Sequence, residues 1–202
     1  MDKIESVDIK KIHDFPNHPF KIIEDQNYKE LKESITNNGV LIPVILRKKN
    51  NDEYEMISGH RRKKISDELG IKEIPSIVKD LPDEEATIIM VDSNLQRDKI
   101  LPSEKAYAYK MKYEAMKNQG VRNDLTSTPV EQKLSIEELS EQVGESREQI
   151  RRYIRLTELI PELLNLVDDT VLKDKRAAIT MGIRPAVELS YLSADDQHKV
   201  YQ

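Results

Sequence analysis

The chain reads as an α+β protein: a small mixed-sheet domain over about 1–98, followed by an all-α domain over 99–202. Two observations predict this. Every stretch with strand character falls within the first 80 residues, and the rest of the chain has helical spacing or helix-capping signals. The apolar residues, 38% of 202 with no Trp and two Phe, are sparse enough to be spread over amphipathic helices.

Residues Ile4 to Ile12 alternate and predict a short strand. Phe15-Pro16-Asn17-His18-Pro19-Phe20 is a loop, because two prolines remove ladder donors. Tyr28, Leu31 and Ile35 share a helical face, and Asn38-Gly39 stops that helix. Val44–Lys48 and Tyr54–Ile57 form a hairpin about the turn Asn50-Asn51-Asp52. A helix from Gly59 to Leu69 ends at Gly70, and Ile74–Val78 comes next as a strand, with Pro75 at an edge or a strand start. Pro82 then opens a helix to about Asn94 whose first turn, Asp83-Glu84-Glu85, suits the positive end of the helix dipole.

A further helix begins at Pro102 and continues through Tyr107, Met111 and Met116, and Asn118–Lys133 is expected as an exposed loop. Ser135-Ile-Glu-Glu138 and Ser146-Arg-Glu-Gln149 have the form of capping boxes and mark two successive helix starts. Gly144 lies between them, and small Ser140 stands where the second helix must approach. This is the sequence form of a helix-turn-helix at about 135–156, whose second helix enters the major groove. Ile150 and Ile154 face inward, leaving Arg147, Gln149, Arg151, Arg152 and Arg155 outward. Arg147, Gln149 and Arg151 are candidates for base edges, since Arg suits guanine and Gln suits adenine. Arg152 and Arg155 are candidates for phosphates. The alternative is an ordinary helical hairpin with a solvated basic face. The apolar faces of Pro161–Val167 and of the helices after Arg184 would support the hairpin.

Composition excludes several functions. Without Cys there are no disulfides, thiol nucleophiles or thiolate metal sites, and His13, His18, His60 and His198 are too scattered to form a ligand set. A net charge of −5 argues against a protein that coats nucleic acid by bulk attraction. No apolar run approaches the ~20 residues of a membrane span, and the N-terminus lacks signal-peptide regions, so the expected location is cytoplasmic.

One stretch breaks the dipole rule that the chain obeys elsewhere. Gly59-His60-Arg61-Arg62-Lys63-Lys64 opens a helix with four cations at the end that already carries partial positive charge. Such an arrangement suits a bound anion, and it predicts a phosphate site. Helical spacing directs Arg62, flanked by Arg61, toward the domain interior or a cleft and leaves Lys63 and Lys64 solvated.

The order Leu31-x-x-Ser34-Ile35-x-x-x-Gly39-x-x-x-Pro43-Val44, then Ser58-Gly59-His60-Arg61-Arg62, then Asn94-Leu95-Gln96-Arg97, then a helix-turn-helix, resembles the ParB family of chromosome and plasmid partition proteins. The resemblance covers roughly residues 4 to 200, and the His18-Pro19-Phe20 and Gly59–Arg62 forms look like its plasmid and mobile-element branch. It implies a ParB/sulfiredoxin-like N-terminal domain that binds CTP and a central domain that recognises centromere-like DNA. CTP and DNA together would bring two N-terminal domains into contact and close a sliding clamp. By this resemblance Gly59, His60, Arg61 and Arg62 hold the triphosphate, Asn94 lies near Mg²⁺, Arg97 faces phosphate, and His18, Phe20 and Lys21 lie on a nucleotide loop. Ser93 stands where the family has Glu, which implies at most slow CTP hydrolysis. His60 replaces another Glu, and Phe20 stands where an Arg is usual. The tail that in the family engages a ParA-type ATPase and the C-terminal dimerisation domain are not in this sequence, which is expected to be part of a longer, nucleoid-associated protein. Two other functions remain open: a DNA-binding transcriptional regulator that no longer uses nucleotide, and a ParB-fold phosphotransferase or nuclease, for which Asp92 is the nearest carboxylate.

Overall fold

A five-stranded sheet carries the first part of the chain, in a computed structural model that describes residues 3–49, 52–97, 99–123, 129–172 and 179–202. The strands are β1 (Ile4–Asp8), β2 (Ile12–His13), β3 (Val44–Lys48), β4 (Tyr54–Ser58) and β5 (Glu73–Lys79), in the order β1-β5-β3-β4-β2. β3 pairs antiparallel with β4 and parallel with β5, and β1 closes antiparallel on β5. The helices are α1 (Gln26–Asn38), α2 (His60–Glu68) and α3 (Asp83–Leu95). The chain divides into two compact units, Met1–Asn94 and Leu95–Gln202.

In the first unit Val7, Ile12, Val44, Leu46, Met56 and Ile74 form the sheet's core, and Tyr28, Ile35 and Ile65 join α1 to α2. Helix α1 begins where the Asp25 carboxylate accepts the Tyr28 N–H, and it ends at Gly39, whose φ of 71° suits a residue without Cβ. Arg47 and Glu55 are both buried across β3 and β4. Arg47 Nε and Nη2 lie 2.7 and 2.6 Å from Glu55 Oε2, and Nη1 lies 2.5 Å from Asp83 Oδ1 at the start of α3. Burying these charges is tolerable because each has a partner.

Two sequence expectations change here. The strand expected over Ile4–Ile12 is interrupted by a 3-10 turn at Ile9–Lys11, where the Asp8 side chain accepts the Lys10 N–H. Pro75 is not on an edge: β5 lies between β1 and β3. It precedes the first residue paired with β3, Ser76, so the missing donor falls where the ladder to β3 has not begun. Asn50 and Asn51 of the expected hairpin turn lie outside the described residues.

The second unit is helical: α4 (Pro102–Asn123), α5 (Pro129–Val143), α6 (Arg147–Leu156), α7 (Pro161–Leu172), α8 (Ile183–Leu189) and α9 (Ala194–Tyr201). The loop expected over Asn118–Lys133 is largely helix, since α4 runs to Asn123 and α5 starts at Pro129; residues 124–128 lie outside the described set. Ser135 is consequently inside α5 and does not cap it. Pro129 opens the helix instead, the position where a missing N–H costs nothing. Leu163, Leu164 and Val167 of α7 pack with Leu156 and Ala186, and Leu139 and Ile150 pack with Tyr109 of α4. At the start of α4, Asp168 accepts the Ser103 N–H at 2.9 Å and the Ser103 hydroxyl at 2.5 Å. No helix among the described residues is long and apolar enough to cross a membrane.

Candidate anion site and candidate nucleic-acid interface

Gly59 turns the chain from β4 into α2 with φ at 116°, a conformation that L side chains rarely adopt. A Cβ here would stand 2.5 Å from Val44 Cγ1, so the glycine is required by space as well as by backbone. No side chain caps α2, and no acidic residue occupies its first turn. The Lys63 N–H bonds to Gly59 O, which leaves the N–H groups of His60, Arg61 and Arg62 outside the helical ladder.

The four cations of this helix start are arranged unequally. Arg62 Nη1 donates to Ile42 O at 2.6 Å and Pro43 O at 2.8 Å; no acidic side chain among the described residues pairs with it, and burial pushes its guanidinium below the ordinary value. Arg61 Nη2 reaches Ile23 O at 3.3 Å and Asp25 Oδ2 at 3.2 Å, while its Nε is buried without a hydrogen-bond partner. Lys63 and Lys64, expected in solvent, are instead paired: Lys63 with Asp14 at 2.7 Å and Lys64 with Glu24 at 2.6 Å. Both acids lie on the long segment before α1, a tertiary contact that helical spacing could not show.

His18 and His60 come together, their ring centroids 3.9 Å apart, and His18 Nδ1 lies 3.0 Å from Phe20 O. Phe20 is buried in the core, and Lys21 is exposed. On α3, Asn94 is buried and its Nδ2 donates to Met90 O at 2.9 Å, so any metal ligation would have to use Oδ1. Ser93 Oγ donates to the same carbonyl at 3.0 Å. Arg97 comes after α3 and belongs to the second unit. Among the described residues no group of three or more His, Asp or Glu side chains is placed to hold a metal ion.

In the second unit α6 begins with a working cap, as the Ser146 hydroxyl accepts the Gln149 N–H. Ile150 and Leu156 are buried, Ile154 is half-buried, Arg147 and Arg151 are exposed, and Gln149, Arg152 and Arg155 are half-buried. Arg147 pairs with Glu137 and Arg152 with Glu148, both at the surface, where such pairs are weak enough to exchange for DNA contacts. Arg155 is placed differently from the expected phosphate contact: its Nε donates to Ser190 Oγ at 3.0 Å and its Nη2 to Ser190 O at 2.6 Å. The turn before α6 is held to α4 by Lys105 and Glu145 at 2.5 Å, and Ser140 Oγ donates to Glu145 O at 2.6 Å. Sequence reasoning missed Lys105 and Glu145, because only the fold brings them together.

Family models for the ParB N-terminal domain and the ParB HTH domain match residues 1–95 and 123–195. The chain belongs to the ParB family. It is 32% identical over 185 residues to the chromosome-partitioning protein ParB of Myxococcus xanthus, covering 92% of this chain and 57% of that protein. To the nucleoid occlusion protein of Bacillus cereus it is 26% identical over 183 residues, 91% of this chain and 58% of that one. The chain thus spans little more than half the length of these relatives. A solved Pnob8-like ParB-N domain shares the fold with a TM-score of 0.59 and 16% identity, over 98% of this chain and 82% of the other. The match to the ParB HTH domain includes α5 and α6.

Proposed function

We propose that this ParB-family chain binds CTP at the start of α2 and acts as a nucleotide-gated DNA clamp in segregation of a chromosome, plasmid or mobile element. The observation that carries the reading is the first turn of α2: N–H groups outside the helical ladder, no capping side chain, and an Arg62 guanidinium with no acidic partner among the described residues. These donors suit a triphosphate, which needs several backbone N–H bonds and a bidentate cation. Gly59, His60, Arg61 and Arg62 would hold the phosphates, with His18 and Lys21 from the adjoining loop. When bound, CTP supplies the negative charge that this helix end lacks. Mg²⁺ would accompany the triphosphate and be held mainly by its oxygens, with Asn94 Oδ1 as the protein ligand and Arg97 as a further phosphate contact.

DNA recognition falls to α6. Arg147, Gln149 and Arg151 would meet base edges and Arg152 a phosphate, on a centromere-like site in the nucleoid, within the cytoplasm. The family resemblance further suggests self-association through the N-terminal unit and a ParA-type ATPase as partner.

The test is calorimetric titration of the four ribonucleoside triphosphates with Mg²⁺, with and without DNA selected by the protein. CTP alone should bind, and more tightly with DNA; no binding under either condition overturns the nucleotide reading. Arg62→Ala should remove nucleotide binding and leave DNA recognition intact. A second reading, a DNA-binding regulator without nucleotide, draws on Phe20, buried where the family has an arginine, and on the Asn94 amide turned into its own helix. It predicts a DNA footprint that CTP does not change.

A further inference from the structure

Arg155 lies one helical turn beyond Arg151 on α6, at the end of the basic series. Its surroundings differ from those of Arg147, Arg151 and Arg152. The Nε and Nη2 donors form a two-point bond to Ser190, one to the hydroxyl and one to the backbone oxygen. Ser190 is buried, caps the C-terminal end of α8, and its own hydroxyl donates a hydrogen bond to Val187 O at 2.6 Å. The Tyr191 ring lies over the guanidinium with its centroid 4.3 Å from Cζ, a cation–π distance. One edge and one face of the group are therefore spent inside the protein.

The tie completes the fastening of α6. The turn at its start is joined to α4 through Lys105 and Glu145. Just past its end, Thr157 Oγ1 and Glu158 Oε1 lie 3.2 and 3.3 Å from Lys110 Nζ, again on α4. Arg155 supplies a polar link on the other side, to the corner after α8, beside the apolar packing of Leu156 with Ala186. Without it the polar contacts of α6 come from the α4 and α5 sides alone, and on the far side only the packing of Leu156 and its apolar neighbours would oppose a roll of the helix. A roll of about 20° moves a side chain at the helix surface by roughly 2 Å, since the helix with side chains is ~10–12 Å across. A bidentate base contact does not survive that displacement.

We propose that Arg155 is a positioning residue for DNA recognition: through Ser190 it sets the roll of α6, and so aims Arg147, Gln149 and Arg151, without contacting phosphate itself. The proposal rests on the reading of α6 as the DNA-contacting helix. Lysine separates the two roles. A phosphate contact needs only positive charge, which lysine keeps, whereas the two-point bond needs the fork of nitrogens that lysine lacks.

The experiment begins with a duplex enriched by the unsubstituted chain from a random-sequence pool, and a shuffled duplex of the same composition. Affinities for both are measured across a salt series for Arg155→Lys, Arg155→Met and Ser190→Ala, with thermal melting as a folding check. Expected for both Arg155 variants is a fall in preference for the enriched duplex of about tenfold or more, the size of one lost base contact. The slope of log affinity against log salt should stay at the parent value, and Ser190→Ala should shift preference in the same direction. Adding Ser190→Ala to Arg155→Lys should lower it little further. A merely structural role would lower binding to both duplexes alike, by the unfolded fraction. Parent-like preference in Arg155→Lys, with a salt slope shallower by about 0.9 in Arg155→Met, overturns the proposal and makes Arg155 a phosphate contact. Should Arg155→Met fail to fold, Arg155→Lys and Ser190→Ala decide. If the unsubstituted chain enriches no sequence, the DNA reading of α6 falls and this proposal with it.

Discussion

Helices α2 and α6 both carry arginine in their first turn, yet they place it oppositely. Ser146 caps α6 and Glu148 sits in its first turn, so its N-terminal N–H groups and dipole are already answered by the protein. The long side chains are then the part of α6 available to a partner, an arrangement suited to reaching into a groove. At α2 nothing caps the helix, and its side chains fold back onto carbonyls and acids, Arg62 onto Ile42 and Pro43, Lys63 onto Asp14, Lys64 onto Glu24. There the uncapped backbone N–H groups are offered to a ligand, with Arg61 and Arg62 as the side chains proposed to join them. On the proposed reading, the residue that precedes each basic helix start, Gly59 or Ser146, separates a site for a compact anion from a surface for a long polymer.

The sharpest way to break this contrast is Gly59→Ala. The added methyl meets Val44 Cγ1 at 2.5 Å in a backbone conformation with φ at 116°, so about 3 kcal/mol of destabilisation is expected from overpacking and strain together. Denaturant unfolding should show it, Val44→Ala should recover part of it, and CTP binding should be lost while DNA binding by α6 persists. Next in size is Ser146→Ala, which makes the start of α6 resemble that of α2. It should cost about 1 kcal/mol in the second unit and weaken DNA binding without changing CTP affinity, as paired melting and titration would show.

Acid offers a milder probe of the same difference. In the first unit the Arg47 hydrogen bond holds Asp83 below the ordinary carboxylate value, Lys32 does so for Glu68, and the Tyr28 N–H for Asp25; at Asp14 burial pulls upward but is outweighed by Lys63 together with His60 and His18. Among the described residues of the second unit only Asp196 is shifted down, chiefly by its hydrogen bond with Lys199. A carboxylate with a lowered folded pKa stabilises above its unfolded value of about 4, and that stability drains as pH falls through the folded value. Hydrogen exchange below about pH 4 should therefore show the first unit loosening before the second.

Much of this was readable from the chain. The Ser146 hydroxyl is a true cap, the apolar faces of α1 and α7 are buried, and the helix read from Gly59 through the cations at 61–64 is α2. The failures have physical causes. Ser135 and Glu138 have the spacing of a capping box, but that spacing also occurs inside a helix, and nothing local distinguishes the two once Pro129 starts α5 six residues earlier. Gly120 lies in the loop expected over Asn118–Lys133, yet α4 continues through it to Asn123; one helical glycine costs only about 1 kcal/mol. The partners of Lys63, Lys64 and Arg155 lie 35 to 49 residues away in sequence, where side-chain periodicity carries no information.

The pairing of β1 with β5 has a kinetic consequence. Its register joins Ile4 to Ile77, so on a ribosome β1 must wait for 73 more residues before its partner exists. At about 5–20 residues per second that is a delay of roughly 4 to 15 s, during which Ile4 to Asp8 has an unpaired backbone. The helices of the second unit need no such wait, since local contacts form fastest. Of the two units, the one that emerges earlier is therefore the one that must close over the longer span of chain.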